Sequence, residues 1–590
     1  MAITVRKYEG DFETTTDPND VRVWASCLVD IDTLETAFIG NDIESFFSYL
    51  STKNSVVYMH NLKFDGEFIL SYLLTHGYKY DKEGTRDPKT FSTLITDDGI
   101  FYTITVIFEK KNKKYKKVVF YDSYKKLPFK VSVIAKAFEL EDRKLKIDYE
   151  AFRPVGHVLT KEEEDYVVAD CRIVAQALKI QFEQGLKKMT NASDALNGYK
   201  EIISKNMFEK WFPVLPVPLD SDIRMAYKGG FVYLNPFYRN KRVRGGITLD
   251  VNSLYPSRMY DCLLPYGYPM FFEGRPEPDE SYPLFIIHMK CTFKVKEGHI
   301  PTLQLKNNYR YVETEYLTTS EDKDGIDEPV EMWLTSVDHK LLFDHYDVED
   351  VTYINGWKFK GTTGMFQKYI DYWMHIKETS TGALRQLAKL MLNSLYGKFA
   401  TNPKARKKIP MLDLEGVVRY TLDEPELRDP VYTAMGCFIT AYARELTIRS
   451  AQSVYDRFIY ADTDSLHLVG EDIPEGLEVH KSKLGAWKHE GTFVDSKYIR
   501  AKTYMETMRE NKEDTLKNYC KCLSKTFEVW REASGIVWHN TKVTCAGMPD
   551  NVKELVTYDN FCSDSTFEGK LMPRRHKGGV VLTPSTFTIK

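Results

Sequence analysis

The sequence predicts a mixed α/β protein built from several compact units. The chain has 590 residues, which corresponds to about four domains of ordinary size. Hydrophobic residues make up 43% of it and charged residues 28%, a balance typical of folded proteins with large cores. Runs rich in β-branched residues alternate with helical patterns along the chain, which indicates strands and helices in one fold.

The composition excludes several classes of protein. Lys and Arg total 81 and Asp and Glu total 84, so the formal net charge is −3 and a uniformly basic DNA-packaging protein is excluded. Local basic patches beside an acidic site remain compatible with this balance. The 9 cysteines include no Cys-x-x-Cys pair, so we expect neither a zinc module nor a secreted disulfide framework. With no apolar segment long enough to span a bilayer, we expect a soluble protein in a reducing cytosol.

The first part of the chain, to about residue 190, mixes strands and helices. Strands are expected at Val21–Asp30 and Val56–Met59, which are rich in β-branched residues. A helix is expected to begin at Thr160, which forms a capping box with Glu163. The small, polar residues 189–197 are a candidate domain boundary.

In the rest of the chain, two polar insertions interrupt the expected α/β framework. Residues 274–364 are dense in Pro, Gly and charge with short strand-like runs, and we interpret them as an insertion. Glu378–Phe399 is the strongest helical pattern in the sequence. Residues 402–429 form a second polar insertion with a basic start, and strand and helix patterns then resume.

A first group of acidic residues comes from three separated elements. Asp11 and Glu13 are two apart in an expected strand and so share a face, and Asp65 follows a polar loop after an apolar strand. Tyr166 and Asp170 are four apart on the helix from Thr160, where an unpaired carboxylate is costly. Each motif alone is more often a solvated acidic face. Together they favour a two-metal phosphodiesterase site, because hard cations prefer carboxylates and two ions activate water and stabilise the leaving oxygen. Tyr166 would orient the water.

A second acidic group lies in the C-terminal half. Asp462 and Asp464 follow an apolar strand and are expected at the tip of a hairpin, and Asp250 ends another strand-like run. An Asp-x-Asp turn is more often a plain turn or a calcium-like feature, but apolar flanking strands favour acids held on a rigid sheet. The loop after Asp250 offers backbone N–H groups that can cradle a triphosphate.

The helix between these acidic motifs has two stripes. The polar stripe is Arg385, Lys389, Asn393 and Tyr396, and the apolar stripe is Leu384, Leu387, Met391 and Leu395. Cations on a helix face are usually only solvated. Here an aligned Asn and Tyr favour binding of a polyphosphate with a ring against the base and sugar. Acids for metals, cations for a triphosphate and an aromatic for a base together indicate nucleotidyl transfer.

These motifs resemble those of the protein-primed family B DNA polymerases of the Bacillus phage phi29 type, over nearly the whole chain. The matching segments are Asp11–Glu13, His60–Asp65, Tyr166–Asp170, Tyr227–Gly230, Asp250–Pro256, Lys389–Gly397, Tyr460–Ser465, Lys502–Tyr504 and the C-terminal Gly578–Lys590. The resemblance implies an N-terminal ribonuclease-H-like 3′–5′ exonuclease domain, followed by a right-hand polymerase with palm, fingers and thumb and two insertions.

The resemblance also implies domain boundaries and roles for the insertions. The exonuclease domain would be residues 1–190, the palm 191–261 and 433–535, the fingers 365–400 and the thumb 536–590. The insertions 262–364 and 401–432 would be the two terminal-protein regions of that family. The first would contact the priming protein, and the second would close a ring around DNA and give processivity and strand displacement.

The resemblance assigns metal, nucleotide and DNA contacts. Metals are implied at Asp11, Glu13, Asp65 and Asp170 and at Asp250, the Val251 carbonyl, Asp462 and Asp464, with two Mg²⁺ per site and Mn²⁺ able to substitute. Nucleotide contacts are implied at Tyr255, Lys377, Lys389 and Tyr396, with Tyr255 excluding a 2′-OH. DNA contacts are implied at His60, Asn61, Phe64, Phe68, Ser123, Tyr124, Tyr227, Gly229, Gly230, Asn393, Gly397, Lys502 and Tyr504. Core packing remains the alternative for Phe64 and Phe68. Lys144 is implied as the catalytic lysine of the exonuclease, with Arg143 and Lys146 as alternatives.

The expected function is a DNA-directed DNA polymerase with a proofreading 3′–5′ exonuclease that replicates linear phage DNA from a terminal-protein primer. Its partners would be double- and single-stranded DNA, deoxynucleoside triphosphates and the terminal protein as a heterodimer. Otherwise it would be a monomer in the cytoplasm of a bacterial host, with no membrane contact. A non-catalytic DNA-binding replication factor is the alternative, but it has no need of acids at both sites. Asp462-Thr463-Asp464 and the fused nuclease motifs argue against a reverse transcriptase or RNA polymerase.

Overall fold

The computed structural model describes residues 5–111, 114–305, 308, 310–312, 314–509 and 539–590. Its N-terminal part is an eight-stranded sheet with helices on both faces. The strands are β1 (Arg6–Thr14), β2 (Val23–Asp30), β3 (Thr36–Gly40), β4 (Ser55–Met59), β5 (Lys79–Tyr80), β6 (Thr90–Ile95), β7 (Phe101–Lys111) and β8 (Lys114–Asp122), in the order β3-β2-β1-β4-β8-β7-β6-β5. The helices are α1 (Ile43–Ser51), α2 (Leu62–Thr75), α3 (Val131–Ala137) and α4 (Lys161–Glu183). The predicted strands and the capped helix are thus confirmed to within two residues.

Parallel pairing at the centre of this sheet positions the first acidic group. β1 is parallel to β4, and β4 is parallel to β8, so the C-terminal ends of β4 and β8 lie at one edge. α4 packs on β1 and β2, and its N-terminus has the complete capping box between Thr160 and Glu163. Glu162 and Glu164 in the same first turn favour the positive end of the helix dipole. The rigid helix therefore holds its polar residues over β1.

The next segment leads into the first insertion. It contains α5 (Asn191–Ile203), α6 (Lys205–Trp211), α7 (Val217–Met225), β9 (Val232–Leu234), β10 (Arg242–Val251) and α8 (Leu254–Asp261). The insertion contains β11 (Leu264–Glu273), β12 (Leu284–Val295), β13 (Val330–Thr335), α9 (Ser336–His345) and β14 (Tyr346–Thr362). These strands form a four-stranded sheet, β11-β14-β12-β13. The expectation of short strands was wrong, since β14 alone has 17 residues and pairs along both neighbours.

Two helices replace the single helix expected from Glu378. They are α10 (Gln367–Thr379) and α11 (Gly382–Phe399). Ser380 and Thr381 are extended and separate them, because Ser380 ends one helix and Thr381 precedes the other. Three members of the apolar stripe, Leu387, Met391 and Leu395, are buried as expected, but Leu384 in the first turn is 39% exposed.

The second insertion consists of two small hairpin-like sheets. β15 (Lys404–Ala405) pairs with β18 (Glu426–Leu427), and β16 (Lys408–Leu412) pairs with β17 (Val418–Leu422). It lies against the N-terminal sheet, where Lys407 forms a β-bridge with Thr96. The two insertions therefore contain ordered sheets of their own.

The chain then completes a second large sheet. α12 (Thr433–Ser453) leads to β19 (Phe458–Asp462), β20 (Ser465–Val469), β21 (Trp487–Arg500), β22 (Thr503–Arg509) and β23 (His539–Cys545). The order is β23-β22-β21-β10-β20-β19-β9, with β10 at the centre. β23 belongs to the range expected for a thumb, yet it is hydrogen bonded to β22. The second acidic group lies on this sheet.

The C-terminal segment is a long hairpin that returns to the N-terminal part. It contains α13 (Asp550–Lys553) and the paired strands β24 (Thr566–His576) and β25 (Gly579–Thr588). Gly578 in the turn has φ +100°, which favours glycine. A Cβ at this position would lie only 2.2 Å from the carbonyl oxygen of Val21, so the turn packs closely against the N-terminal part. Among the described helices, none combines the length and apolar character needed to cross a membrane.

Candidate active sites

The first acidic group surrounds a cavity of about 180 Å³ in the N-terminal part. β1 contributes Glu9, Asp11 and Glu13, and α4 contributes Tyr166 and Asp170. The strand and helix periodicities thus bring together the residues that were predicted to share faces. Asp65 lies beside Asp11 and Glu13, in the first turn of α2. The polar loop expected before it, residues 60–64, was too long, because α2 begins at Leu62, only three residues after β4 ends.

The cavity holds more negative charge than its protein surroundings neutralise. Burial raises the pKa of Asp11 to about 7, with Asp170 adding to the rise and Lys144 opposing it. Burial and the neighbouring carboxylates also raise the pKa of Glu13 and Asp65. Asp170 Oδ1 is buried with no hydrogen-bond partner among the residues described. This donor set fits divalent cations, which would satisfy that oxygen and favour the ionised carboxylates.

Lys144 is the member of the three candidate cations that lines this cavity. Its ammonium group donates to Asp170 Oδ2 and lies 5.3 Å from the centroid of the Tyr166 ring. Arg143 instead donates to backbone carbonyls, including that of Asp142 at 2.9 Å. Over the described residues, no three Asp, Glu, His or Cys side chains are close enough together to hold a metal ion as they stand, so the fit depends on the chemistry of the donors and not on a preformed cluster. In this arrangement Lys144 supplies the positive charge beside Asp170.

The sequence motifs missed two residues of this site. Tyr149 shares a hydrogen bond of 2.5 Å with the hydroxyl of Tyr166, although it stands in an irregular segment. Glu9 continues the alternation of Asp11 and Glu13 and is 1% exposed. The period of two along β1 would have identified Glu9, whereas no local pattern identifies Tyr149.

The expected DNA-contact residues next to this cavity differ in accessibility. His60 is held between Ser123 Oγ at 3.0 Å and the carbonyl of Phe129 at 2.7 Å. Ser123 is fully buried, whereas Tyr124 is 42% exposed. His60 and Ser123 therefore hold in place the short 3-10 helix, Ser123–Lys125, that presents Tyr124.

Asn61 stands at the exposed start of α2. Its φ is +69°, and its backbone N–H donates to Asp122 Oδ1 at 3.1 Å. The same oxygen accepts from the N–H of Leu62 and of Tyr124 at 3.3 and 3.0 Å. Asp122 is a residue that the motifs missed, and it joins the start of α2 to the segment that carries Tyr124.

The two phenylalanines of α2 have different environments. Phe68 is 1% exposed and packs beneath Gly579 of the C-terminal hairpin, where an added Cβ would lie 2.4 Å from its ring. Core packing, the alternative left open for Phe68, is therefore its state in this structure. Phe64 is only partly buried and lines the adjacent cavity together with Asn61.

The second acidic group lies where β10 meets the β19–β20 hairpin. Asp250 pairs in register with Ser465, and Val251 N–H donates to the carbonyl oxygen of Asp464 at 2.7 Å. Thr463 at the hairpin tip has φ +61°. The predicted strand–turn–strand arrangement is confirmed, and both sheet pairings hold the acids in a fixed register.

Burial shapes the charge state of this group as well. It raises the pKa of Asp250 to about 7, and Asp464 adds to the rise. The pKa of Asp464 is also raised, mainly by burial. These side chains line a cavity of about 550 Å³ together with Asp462 and Lys502. The donor set again fits a divalent cation.

Lys502 stands at the turn between β21 and β22 and faces the acids. Its ammonium nitrogen lies 3.0 Å from Asp462 Oδ1. Its backbone has φ +56°, and its N–H donates to the Tyr460 hydroxyl at 2.9 Å. Tyr504 packs on Tyr460 with ring centroids 5.2 Å apart. The predicted Lys502–Tyr504 segment is therefore joined directly to the acidic hairpin.

The expected nucleotide contacts gather beside Asp250. The Tyr255 and Tyr396 rings stack with centroids 4.0 Å apart and an angle of 18°. The ammonium group of Lys377 donates to Ser253 Oγ at 3.0 Å. Burial is the main cause that lowers its pKa, and the nearby positive charge of Lys389 lowers it further. Two helices from one part of the sequence thus supply cations to the loop that follows Asp250.

The remaining helix residues, Lys389, Asn393 and Gly397, are exposed along α11. Among the Tyr227–Gly230 residues, Gly230 lies against Thr463, where a Cβ would be 2.6 Å from the side-chain oxygen. Gly229 accepts through its carbonyl from Arg444 at 2.8 Å. Arg444 in turn forms a buried bidentate pair with Asp338 of the first insertion, an interaction that no motif indicated.

Comparison with known proteins identifies the family. The model of the family described as DNA polymerase type B, organellar and viral, matches residues 48–156 and 146–482, which is more than half of the chain. The chain belongs to this polymerase family. It is a DNA-directed DNA polymerase, and exonuclease activity is part of the phi29 type that it resembles.

Relatives match the polymerase along its whole length. The DNA polymerases of Bacillus phages M2 and phi29 are both 46% identical over 587 residues, which are 99% of this chain and 100% and 99% of theirs. The DNA polymerase of Streptococcus phage Cp-1 is 33% identical over 99% of this chain and 98% of its own. A structure of phi29 DNA polymerase complexed with primer-template DNA and incoming nucleotide superposes with a TM-score of 0.91, 45% identity and complete coverage of both chains. The expected family and fold are therefore confirmed, and a non-catalytic replication factor is not favoured.

Proposed function

We propose that this polymerase replicates linear phage DNA from a terminal-protein primer, extending DNA at Asp250 and Asp464 and proofreading at Asp11, Glu13 and Asp170. The main support is the presence of two separate buried groups of carboxylates on two different sheets. Each group has a carboxyl pKa raised to about 7, at Asp11 and at Asp250. One shared site would not require this duplication.

Divalent metals complete both sites in this proposal, with two Mg²⁺ ions per site and Mn²⁺ as a substitute. Asp250, Asp464 and the Val251 carbonyl hold the polymerase ions, with Asp462 as a ligand or support. Asp11, Glu13, Asp65 and Asp170 hold the exonuclease ions. When bound, the ions activate the attacking oxygen and stabilise the leaving oxygen.

The protein's own residues position the incoming nucleotide. Lys389 and Lys377 bind its phosphates, and their origin on adjacent helices supports a joint role. Tyr255 lies under the sugar, where its ring excludes a 2′-OH, and Tyr396 stacks at the nascent base pair. Lys502 contacts the primer end.

At the exonuclease site, Tyr166 orients the attacking water and Lys144 binds the scissile phosphate. Asn61, Phe64 and Tyr124 receive the unpaired primer strand, with the aromatic rings stacking on bases. Tyr124 and Asn61 are exposed and lie next to His60, which lines the cavity, and this supports the role. Tyr227, Gly229 and Gly230, Asn393, Gly397 and Tyr504 complete the DNA contacts.

The remaining parts of the proposal concern partners and domains. Residues 1–190 form the exonuclease domain, 191–261 and 433–535 the palm, 365–400 the fingers and 536–590 the thumb. The first insertion, 262–364, binds the terminal protein in a heterodimer. The second, 401–432, closes a ring around DNA. The polymerase acts in the cytoplasm of a bacterial host and is otherwise a monomer.

Replacing Thr401–Glu426 by a short Gly/Ser turn tests the ring. A closed ring slows dissociation without changing chemistry, so the product per binding event should shorten and strand displacement should fail. Single-nucleotide incorporation on a primed single strand should stay near normal. Primer extension on a singly primed circle, with a trap for dissociated enzyme, measures this. Undiminished product length in the trap would make the insertion a tolerated surface loop. Running the same assay with ribonucleotides separates the proposal from an RNA polymerase.

A further inference from the structure

Three parts of the chain that are far apart in sequence meet at the tip of the C-terminal hairpin. In the turn of this hairpin, Lys577 forms a β-bridge with Val417 of the second insertion. The next residues, Gly578 and Gly579, pack tightly against the N-terminal part, including Phe68 of α2. Through these contacts the hairpin packs against both α2 and the second insertion.

Glu67, Arg575 and Tyr420 lie together at this meeting point, one from each part. Arg575 Nε donates to Glu67 Oε1 at 2.8 Å. The guanidinium carbon of Arg575 lies 4.7 Å from the centroid of the Tyr420 ring, within cation–π range. The Glu67 side chain is 4% exposed and the Arg575 side chain 35% exposed. Each residue thus contacts a part of the chain that is not its own.

Because the Glu67 carboxylate is buried, its ion pair with Arg575 stabilises the packing of the hairpin against α2. Glu67 neighbours the buried Phe68 and Asp65 on α2, so without Arg575 the closed arrangement would hold an unpaired carboxylate out of water. Glu67 Oε2 and the Tyr420 hydroxyl are buried too, and neither has a hydrogen-bond partner in the part of the chain that the structure describes. The Tyr420 hydroxyl nevertheless lies close enough to the Glu67 and Arg575 side chains to interact with both. The three side chains therefore make their mutual contacts only when α2, the second insertion and the C-terminal hairpin are all packed together.

We propose that Glu67, Arg575 and Tyr420 form a latch that holds the second insertion and the C-terminal hairpin closed against α2. The latch rests on the proposed ring around DNA and names the side chains that keep it shut. Opening the ring must separate Arg575 from Glu67. The three residues are positioning residues, because they do not touch either acidic site.

A rival explanation is that Arg575 only binds DNA phosphates. Arg575 lines a cavity of about 910 Å³ together with Lys63, Arg419 and Arg574, a basic lining that suits a phosphate backbone. The two explanations differ in what Glu67 does. If Arg575 serves DNA alone, removing Glu67 frees it and DNA is held as well as before or better. If the three residues form a latch, removing Glu67 weakens closure.

The test compares Arg575→Met, Glu67→Met and the double variant in primer extension on a singly primed circle with an enzyme trap. Arg575→Met leaves a buried carboxylate, so we expect the product per binding event to shorten about tenfold or more. Glu67→Met should shorten it less, because Arg575 can reach water. The double variant replaces the pair by apolar side chains and should recover most of the length. Asp550→Asn is the control, since Asp550 of the C-terminal segment pairs with Lys130 of the N-terminal part but both side chains are exposed.

A second measurement uses the same variants without DNA. Hydrogen–deuterium exchange of the β16–β17 amides should be faster in Arg575→Met than in the double variant, and unchanged in Asp550→Asn. Single-nucleotide incorporation shows that each variant is folded. Equal exchange in all variants, or product length unchanged or increased in Glu67→Met, would overturn the latch. If the unmodified polymerase itself made only short products while the variants still differed in hydrogen–deuterium exchange, the proposed ring around DNA would be wrong and the latch would stand.

Discussion

Tyr255 offers the sharpest test of how the polymerase site selects its substrate. Its ring lies in the first turn of α8, a few residues after Asp250, and is stacked on Tyr396 with centroids 4.0 Å apart. The stack fixes the position of the ring beside the acids. We expect Tyr255→Val to relax selection against ribonucleotides, because the shorter side chain leaves space for a 2′-OH.

The expected size of the effect follows from two separate losses. A shaped pocket excludes a small extra group by about 1–3 kcal/mol, which is about 10- to 200-fold in selectivity. Losing the ring–ring contact costs about 0.5–1.5 kcal/mol more, but this affects both kinds of nucleotide alike. The selectivity ratio should therefore fall about 10- to 200-fold, whereas deoxynucleotide incorporation should fall much less.

Single-turnover incorporation of matched deoxy- and ribonucleotides measures this ratio. Tyr255→Phe is the control, since it retains the ring and should retain the ratio. Tyr396→Leu removes only the stacking partner and should give an intermediate change. An unchanged ratio in Tyr255→Val would show that another residue excludes the 2′-OH.

Two further predictions concern the exonuclease site. Lys144→Ala should lower degradation of single-stranded DNA about 100-fold, as expected for the loss of one charged group at the reacting phosphate, whereas Lys146→Ala should have little effect; equal effects would reject the choice of Lys144. The pKa of Asp11 is raised to about 7 in the metal-free protein, so protonation of Asp11 stabilises the fold at low pH and this contribution is lost as the pH rises through 7. The Tm of the metal-free protein should therefore fall from about pH 5 to about pH 8, and Mg²⁺ or Asp11→Asn should reduce the fall. A Tm that rises over this range, or one that Mg²⁺ leaves unchanged, would contradict the metal assignment.

Local patterns in the sequence predicted much of the two sites. The two-residue period of β1 places Asp11 and Glu13 on one face, and the four-residue spacing on α4 places Tyr166 and Asp170 together. An apolar strand before Asp462 was enough to predict the hairpin. These features depend on residues close in sequence, so a periodicity or a cap is sufficient to indicate them.

Contacts between distant segments had no such signal. Glu67 and Arg575 are 508 positions apart, and neither belongs to a recognisable motif. Phe68 could have faced a DNA base or the core, and only the position of Gly579 decides between them. The break at Ser380 in the expected helix was also missed, because helix propensity alone does not show where two helices turn apart.

Separate inactivation of the two acidic groups tests the central claim most directly. Asp464→Ala should abolish primer extension and leave degradation of single-stranded DNA intact. The double variant Asp11→Ala and Glu13→Ala should do the reverse. Both activities are measured on one labelled primer, with and without template and nucleotides. Loss of both activities in either variant, or extension above a few percent in Asp464→Ala, would contradict two independent metal sites.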